Sequence, residues 1–257
     1  MKGYGKTDVG RIRLVNQDTF SALEMDNGCF VAVVCDGMGG AAGGGIASAI
    51  AKDIFLTELE KRLDDFVYNR REDSESSLEM PRILREAVRA CNAFTFDLAT
   101  KDKSLHGMGT TLVAALIFKN TLYACNVGDS RLYYFSDKKA YQITKDHSYV
   151  QAMVDSGKMT VAQARNSTRK NIITKAVGIE NTVDADVFSV SLEEGMQYFL
   201  LCSDGLSNLI DKEDMKRIIL QPKELLGLEK KVECLIGLAN ERGGTDNITA
   251  YLIEANR

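Results

Sequence analysis

Apolar and polar positions alternate along this chain with periods that predict both strands and helices. Two short apolar runs, Thr19–Met25 and Cys29–Cys35, predict strands, and the Asp26-Asn27-Gly28 stretch between them is typical of a tight hairpin turn. From Gly45 to about Phe66, apolar residues recur at three- and four-residue spacing, which predicts a helix that buries one face. We therefore expect a hairpin that leads through a glycine-rich turn into a helix.

The later part of the chain shows the same two periods. Residues 70–77 are polar and predict a loop, and Pro81 is expected to open a second helix that ends near Thr100. The later predicted strands are TTLVAALIF, LYACNV, RLYYF, DADVFSV, QYFLLCS and NITAYLIEA. The later predicted helices are Ser148–Ala164, Asp211–Leu220 and Leu228–Asn240. Because only short turns separate the first three of these strands, they predict one antiparallel meander.

The order of these elements favours one fold class. Strands come in neighbouring groups and helices in pairs, which is typical of an α+β fold with antiparallel sheets and not of alternating βαβ units. The chain has only two prolines, no internal repeat and no linker-like composition. We therefore predict a single domain over residues 1–257.

Composition excludes several classes of protein. The net charge is −4 and no basic block is present, so nucleic-acid binding is not expected. No apolar run suits a signal peptide or a membrane span, and no stripe suggests a dimer, so we expect a monomer. The six cysteines form no C-x-x-C pair and only two histidines exist, which argues against a zinc site and indicates reduced thiols in the cytoplasm.

The glycine-rich turn at residues 37–42 fits the G-x-G-x-x-A dinucleotide fingerprint, but its context does not. The acidic residues about 20 positions on are Glu58 and Glu60, which fall inside the predicted helix, and another helix follows before any strand. No G-x-x-x-x-G-K-[ST] phosphate loop is present either. We therefore interpret the turn as one that presents Asp36.

Asp36 is one of four aspartates that lie at predicted strand ends. The others are Asp129, Asp204 and Asp246. Each alone would be an ordinary turn residue, but side chains at strand ends can converge on one rim of a sandwich. A cluster of carboxylates repels itself unless cations bind, and oxygen ligands without sulfur or nitrogen suit magnesium or manganese. Gly37 allows the backbone to bend and offer its carbonyl as a further oxygen ligand.

Such a cluster is suited to phosphoryl chemistry. Two cations about 3.5–4 Å apart can share a water, lower its pKa and direct it at phosphorus. The phosphate oxygens also need a positive partner, which arginine supplies best through its bidentate fork. Arg11 and Arg13 both lie just upstream of the first predicted strand. Either arginine could reach the site, and their spacing alone does not choose between them.

Seven motifs together resemble a known family. They are GRIRLVNQD, VVCDGMGG, GMGTTLVAA, NVGDSRLYYF, TKDHS, LLCSDGL and GGTDNIT. In this order they resemble the metal-dependent serine/threonine protein phosphatases of type 2C, the PPM family, in its bacterial branch. The resemblance covers the chain from about Thr7 to Ile253.

The resemblance implies a four-layer αββα sandwich, with two antiparallel sheets flanked by helices. It also implies hydrolysis of phosphoserine and phosphothreonine in proteins by a water activated between two divalent cations, Mn²⁺ or Mg²⁺, without a phosphoenzyme. Phosphorylated proteins would be the substrates, and a serine/threonine kinase a signalling partner. A cysteine-dependent phosphatase is disfavoured, because no cysteine is followed by a phosphate-binding loop and an arginine.

The resemblance also implies residue roles at the metal centre. Asp36 would bridge both cations, with the carbonyl of Gly37 on one of them, and Asp204 and Asp246 would complete the pair. Asp18 would hold a metal-bound water by a hydrogen bond.

Further roles follow from the same resemblance. Arg13, rather than Arg11, would bind the substrate phosphate, because it lies five residues before Asp18 as in the family pattern. Asp129 with Asp204 resembles a third, weaker metal site. Residues 147–178 resemble the flap that bacterial members carry beside the site.

The chain departs from the family pattern at several positions. Ala41 and Gly45 stand where bacterial members commonly have histidine and glutamate, and Ser167-Thr168 replaces a His-Pro pair in the flap. Met38 stands where eukaryotic members carry a proposed general acid, so metal-bound water or another residue would protonate the leaving group. His147, beside Asp146, could take part in proton transfer, but we expect a structural role.

Two alternatives stay open at this point. The departures leave room for a catalytically weak module of the same fold that binds phosphoproteins or regulates a kinase. A phosphatase of small molecules is the other alternative, and comparison of phosphopeptides with sugar phosphates would separate it from a protein phosphatase.

Overall fold

The computed structural model describes residues 1–25, 28–40, 43–68 and 76–257. Within these ranges the chain forms eleven strands, seven α-helices and one short 3-10 helix, Lys103–Leu105. The strands are β1 Lys2–Asp8, β2 Asp18–Glu24, β3 Phe30–Met38, β4 Gly109–Thr110, β5 Leu112–Phe118, β6 Thr121–Val127, β7 Arg131–Phe135, β8 Ala140–Gln142, β9 Asp186–Ser191, β10 Met196–Cys202 and β11 Ile248–Asn256. The helices are α1 Gly43–Tyr68, α2 Ser76–Lys101, α3 Tyr149–Asp155, α4 Val161–Arg165, α5 Asp204–Ser207, α6 Lys212–Ile219 and α7 Leu228–Glu241.

Two antiparallel sheets form the centre of the molecule. One has the strand order β1-β11-β10-β7-β8, and the other has the order β2-β3-β5-β6-β9, with β4 paired to β3. Apolar side chains from both sheets, such as Val34, Ile117, Phe199 and Ile253, form one buried cluster between them. The two sheets therefore pack face to face, as alternating inward side chains require.

Helices cover the outer face of each sheet. Phe55 and Leu59 of α1 and Leu84 of α2 pack on the β3-β5-β6 sheet, and Leu235 of α7 packs on the β10-β11 sheet. The predicted α+β class and the αββα layering are therefore confirmed. None of the helices in the described part of the chain has the length and apolar character that a membrane span needs.

The predicted first hairpin is present. Strands β2 and β3 pair antiparallel, with Asp18 directly opposite Asp36. The turn residues Asp26 and Asn27 lie outside the described residues. Because side chains alternate along a strand, this register places both carboxylates on the same face, at the same end of the sheet.

The predicted meander is wrong at its third strand. β5 and β6 pair with each other, but β7 joins the other sheet beside β10. The chain crosses between the sheets at Gly128, which has a φ of +107° and whose added Cβ would lie 2.6 Å from Thr111. Ser130 is buried after the crossing, and its hydroxyl lies 2.7 Å from that of Thr111. A short turn therefore changes sheets here instead of closing a hairpin.

The sequence interpretation also missed strand β1. Its residues, KGYGKTD, carry two glycines and little apolar character, but they pair along their full length with β11. A Cβ at Gly3 or Gly5 would overlap the ring of Tyr251. The glycines therefore allow an aromatic side chain of the neighbouring strand to lie across this edge strand.

Two helix predictions need correction. Helix α2 begins at Ser76, inside the segment predicted as a loop, so Pro81 lies within the helix and does not open it. Residues 69–75 of that predicted loop lie outside the described residues. The predicted helix Ser148–Ala164 is two short helices, because α3 ends before Gly157 at a φ of +69° and Thr160 caps α4.

Candidate functional site

The ends of strands from both sheets bring the predicted aspartates to one rim. Asp18 begins β2 and faces Asp36 near the end of β3. Asp204 begins α5 directly after β10, and Asp246 lies just before β11. Asp129 lies on the crossing between β6 and β7. Both sheets therefore contribute carboxylates to the same edge of the sandwich.

The electrostatics of Asp36 place these carboxylates close together. Burial raises the pKa of Asp36 well above its ordinary value, and the charges of Asp18, Asp204, Asp129 and Asp246 raise it further, in that order. Like charges raise a carboxyl pKa only when they lie near each other in a poorly solvated region. The structure thus brings together all five aspartates that the sequence singled out.

Two hydrogen bonds fix the Asp18 carboxylate through one of its oxygens, and the other oxygen has no hydrogen-bond partner in the described chain. It is buried, and its Oδ2 accepts hydrogen bonds from the hydroxyls of Ser203 and Thr249, each at 2.7 Å. Its Oδ1 has no partner among the described residues. Burial raises the pKa of Asp18 to about 6 against the opposing effect of these two hydrogen bonds. Asp18 therefore offers one free oxygen toward the cluster.

Asp129 and Asp204 form the other side of the cluster. Burial and the charge of Asp204 raise the pKa of Asp129 to about 8, and its Oδ1 finds no partner in the described chain. Burial, followed by the charge of Asp246, raises the pKa of Asp204. Asn208 donates a hydrogen bond to Oδ2 of Asp204 at 2.9 Å, which fixes that carboxylate on α5.

The backbone around Asp36 is fixed by close packing. The Asp36 carbonyl accepts hydrogen bonds from the Thr110 hydroxyl and the Thr111 N–H, both at 2.9 Å. A Cβ at Gly37 would overlap the carbonyl oxygen of Gly44 and approach that of Gln17 to 2.7 Å. Only glycine therefore fits at position 37, where the backbone of β3 meets the start of α1.

The departures from the family pattern have unequal consequences. Ala41 lies outside the described residues. A Cβ added at Gly45 would meet nothing within 4 Å, so the fold leaves room for a side chain there. Met38 is partly buried at the end of β3.

The donor set suits hard divalent cations. Over the described ranges, no three Asp, Glu, His or Cys side chains meet in a geometry that would hold a metal ion as they stand. The aspartates nevertheless provide only oxygen atoms, and Asp18 and Asp129 each have one buried oxygen without a partner. A cation would satisfy these oxygens and offset the mutual repulsion that raises the carboxyl pKa values. The residues present therefore fit a divalent metal.

Arg13, and not Arg11, faces the carboxylates. The Arg13 guanidinium donates a hydrogen bond to Oδ2 of Asp246 at 2.9 Å. This bond raises the pKa of Arg13, and the charges of Asp246, Asp36 and Asp204 raise it further. Arg11 instead packs its side chain against Gly244, to whose carbonyl its backbone N–H also donates, at 2.7 Å. Of the two arginines, Arg13 is the one whose side chain contacts a carboxylate of the cluster in the described part of the chain.

The sequence interpretation missed the residue that holds the Arg13 loop. The side chain of Asn247 accepts a hydrogen bond from the Gln17 N–H at 2.9 Å and donates to the carbonyls of Val9 and Val15, both at 3.0 Å. It is 6% exposed. The only sequence signal was its place beside Asp246, where asparagine is also an ordinary turn residue.

We expect Asn247→Ala to loosen this loop. The change leaves three backbone groups without partners, which should lower the free energy of unfolding by about 2–4 kcal/mol. It should also reduce the phosphatase activity that the family resemblance implies by about 10–100-fold, as loss of a supporting hydrogen bond does at metal sites. Urea unfolding and phosphopeptide hydrolysis measure the two effects. The exposed Asn256→Ala is the control, and a stability equal to that of the control would contradict this role.

His147 has a structural place in the fold. Its Nδ1 accepts a hydrogen bond from the Gly128 N–H at 3.1 Å, and its Nε2 lies 3.3 Å from Oδ2 of Asp186. Burial lowers the pKa of His147, and the nearby charge of Lys175 lowers it further. His147 thus connects the turn that carries Asp129 to strand β9.

Comparisons with known proteins agree with this geometry. A family model described as protein phosphatase 2C matches residues 11–233. The serine/threonine phosphatase stp of Listeria welshimeri is 36% identical over 98% of this chain and 94% of its own length. A crystal structure of a bacterial serine phosphatase with an arginine-to-lysine substitution has a TM-score of 0.87 and 32% identity, and covers 100% of this chain and 99% of that chain.

A further solved structure bears on the metal. The catalytic domain of the serine/threonine protein phosphatase PstP, in complex with two manganese ions, has a TM-score of 0.79 and 29% identity, covering 99% of this chain and 98% of that chain. Protein phosphatase 2C enzymes bind divalent metals, and the predicted enzyme class is confirmed by the names of the curated relatives. The sheets, the helical layers and the sequence matches agree, and the chain belongs to the protein phosphatase 2C family.

Proposed function

We propose that this chain removes phosphate from phosphoserine and phosphothreonine in proteins, using two divalent cations held by its aspartate cluster. The observation that carries the proposal is the convergence of five aspartates, Asp18, Asp36, Asp129, Asp204 and Asp246. Burial and neighbouring carboxylates raise the pKa values of the first four. Arg13 lies in hydrogen-bond contact with one of these carboxylates. Oxygen ligands beside an arginine suit a phosphate ester and do not suit an uncharged substrate.

We assign the metal-holding role to Asp36, the carbonyl of Gly37, Asp204 and Asp246, and a third, weaker site to Asp129 with Asp204. When bound, the cations supply Lewis-acid activation of the attacking water and of the phosphoryl oxygens. Either manganese or magnesium fits these oxygen donors. The two manganese ions in the structure of the related PstP domain support manganese as the metal that this chain binds.

The chain's own residues bind and orient the substrate in this proposal. The Arg13 guanidinium binds the non-bridging phosphate oxygens, and Asp246 holds it in place through their 2.9 Å hydrogen bond. Asp18, fixed by Ser203 and Thr249, uses its free Oδ1 to accept a hydrogen bond from the attacking water. The Met38 side chain has no proton to give, so protonation of the leaving group falls to a water or to another residue.

The biological setting is also a proposal. The names of the relatives imply phosphoprotein substrates, and we propose a serine/threonine kinase as the signalling partner. We propose a monomer in the cytoplasm, a location supported by cysteines that are free thiols, five of them buried. Residues 147–178, which carry α3 and α4, are proposed to act as a flap within a single domain over residues 1–257.

Metal titration tests the function directly. We expect metal-stripped protein to be inactive on a phosphothreonine peptide and to gain activity saturably with manganese or magnesium. A saturating metal should stabilise the fold by about 3 kcal/mol at 100 times its dissociation constant, which raises the Tm by about 5–10 °C. A sodium chloride addition of equal ionic strength is the control.

The outcomes separate the alternatives. A Tm rise without turnover would favour a module that binds phosphoproteins without hydrolysing them. Turnover of sugar phosphates in preference to phosphopeptides would favour a small-molecule phosphatase. No Tm rise and no turnover would contradict the metal centre itself.

A further inference from the structure

A groove of about 560 Å³ lies beside the aspartate cluster. Residues of the segment 148–170, which carries α3 and α4, form one wall, and residues of the segment 204–212 form another. Asp129 and Asp204 belong to its lining. A substrate whose phosphate lies at the cluster therefore places the residues next to its phosphorylated side chain in this groove.

Three cationic side chains line the groove without a partner. They are Arg165 and Lys170 on one wall and Lys212 on the other. Within the part of the chain that the structure describes, none of the three makes an ion pair or a side-chain hydrogen bond to an acidic group. Two further arginines of the lining differ in this respect, because Asp146 binds Arg131 and Asp214 binds Arg242.

The acidic residues of the groove offset at most one of these three charges, through Asp211 beside Lys212. Asp146 is occupied by Arg131, which contacts both of its carboxylate oxygens at 2.6–3.0 Å. Asp211 caps α6 and accepts a hydrogen bond from the Asp214 N–H at 2.9 Å. Asp129 and Asp204 face the proposed cations. The groove therefore has an excess of positive charge away from the cluster, although the whole chain carries a net charge of −4.

The wall formed by residues 148–170 also offers apolar surface. Val150, Val154 and Val161 belong to the lining, and Val161 is 60% exposed. Aliphatic surface beside unpaired cations suits an extended acidic peptide. Its backbone and methylene groups would pack on the valines, and its carboxylates would pair with the cationic side chains.

We propose that Arg165, Lys170 and Lys212 select phosphoprotein substrates that carry acidic residues next to the phosphorylated one. The proposal rests on the phosphatase function proposed above and specifies its substrate class. Each partly exposed ion pair contributes little, but three together should favour an acidic over a neutral flank by about tenfold in kcat/KM. The preference acts on binding, so it should appear in KM and weaken with salt.

The test uses two phosphothreonine peptides that differ only in two flanking residues on each side, aspartates in one and asparagines in the other. We compare the native protein with the double variant Lys170→Met/Lys212→Met and with Arg165→Met. The matched control is Lys2→Met/Lys138→Met, which removes two lysines outside the groove lining. Sodium chloride is set at about 50 and 300 mM, which spans a large change in screening.

We expect the native protein and the control to prefer the aspartate peptide about tenfold at low salt. Lys170→Met/Lys212→Met should lose most of this preference through a higher KM for the aspartate peptide, with unchanged turnover of the asparagine peptide. Equal kcat/KM for the two peptides in the native protein would overturn the proposal. So would a preference that survives in the double variant.

A second measurement separates failure of the groove from failure of the phosphatase. Binding of the same two peptides, with a non-hydrolysable phosphonate in place of the phosphate, is followed by fluorescence anisotropy. Hydrolysis of both peptides without discrimination would overturn the groove proposal and leave the phosphatase intact. Discrimination in binding without hydrolysis of either peptide would support the groove and contradict the enzyme.

Discussion

Replacement of Asp36 by asparagine should lower the kcat of phosphothreonine hydrolysis by on the order of 10³-fold or more. Asp36 faces Asp18 across the β2–β3 pair, and the charges of Asp18, Asp204, Asp129 and Asp246 all raise its pKa. An amide keeps the shape of the side chain but removes the charge that would hold both cations. The loss should therefore persist at saturating metal and substrate.

In the absence of metal, the same substitution should stabilise the folded protein. Burial and neighbouring charges raise the pKa of Asp36 in the folded protein, so the folded state favours the protonated carboxyl. Above the unfolded value of about 3.9, the carboxyl ionises in the unfolded chain but stays protonated in the folded one, so the free energy of unfolding falls as the pH rises toward the folded pKa. In EDTA at neutral pH, Asp36→Asn should have a higher Tm than the native protein, and the difference should vanish near pH 4.

Two measurements check these statements. Calorimetry in EDTA and with manganese gives the two Tm values, and peptide hydrolysis gives kcat. Asp137→Asn, at an exposed turn outside the cluster, is the matched control. Normal metal-dependent turnover in Asp36→Asn would contradict the assignment of Asp36 as a bridging ligand.

Replacement of Arg13 by alanine should lower kcat/KM by about 10–100-fold, because a charge-assisted hydrogen bond to phosphate is worth about 1.5–3 kcal/mol. The loss should lie mainly in KM, and inorganic phosphate should become a weaker competitive inhibitor. Arg13→Lys keeps the charge but loses the planar fork, so it should fall between the native protein and the alanine variant.

The chain provides a matched control two residues away. Arg11→Ala removes the same kind of side chain from the same loop, but Arg11 packs on Gly244, and among the described residues its side chain makes no hydrogen bond to a carboxylate of the cluster. Its kinetic constants should stay close to native. Equal effects of the two alanine variants would show that the loop, and not the Arg13 guanidinium, supports activity.

Four of the five aspartates, Asp36, Asp129, Asp204 and Asp246, could be singled out because each one ends or precedes an apolar run, whereas Asp18 was indicated only by the family resemblance. That signal is local, and so is the turn between β2 and β3, which the pairing confirmed. The pairing of β1 with β11 joins residues 240 to 252 positions apart, and β1 has two glycines in place of an apolar stripe. No local pattern predicts such a pairing.

The crossing at Gly128 shows a second limit of sequence patterns. A short turn between two apolar strands is consistent with a hairpin and with a change of sheet, and only packing against Thr111 decides between them. Asn247 was missed for a related reason. Its three hydrogen bonds reach residues 9–17, which lie beside it only after the sheets have assembled.

The position of β11 has a consequence for synthesis of the protein on the ribosome. This strand lies between β1 and β10, and Asp246 comes directly before it. While a nascent chain still lacks residues 246–256, β1 has no partner and Arg13 has no carboxylate to hold it. The sheet that contains β2, β3, β5 and β6 can begin to fold during translation, as amino-terminal units do. We therefore expect catalytic competence only after residues 246–256 are available to pair with β1 and β10 and to hold Arg13, and we expect chains interrupted before Asp246 to be inactive.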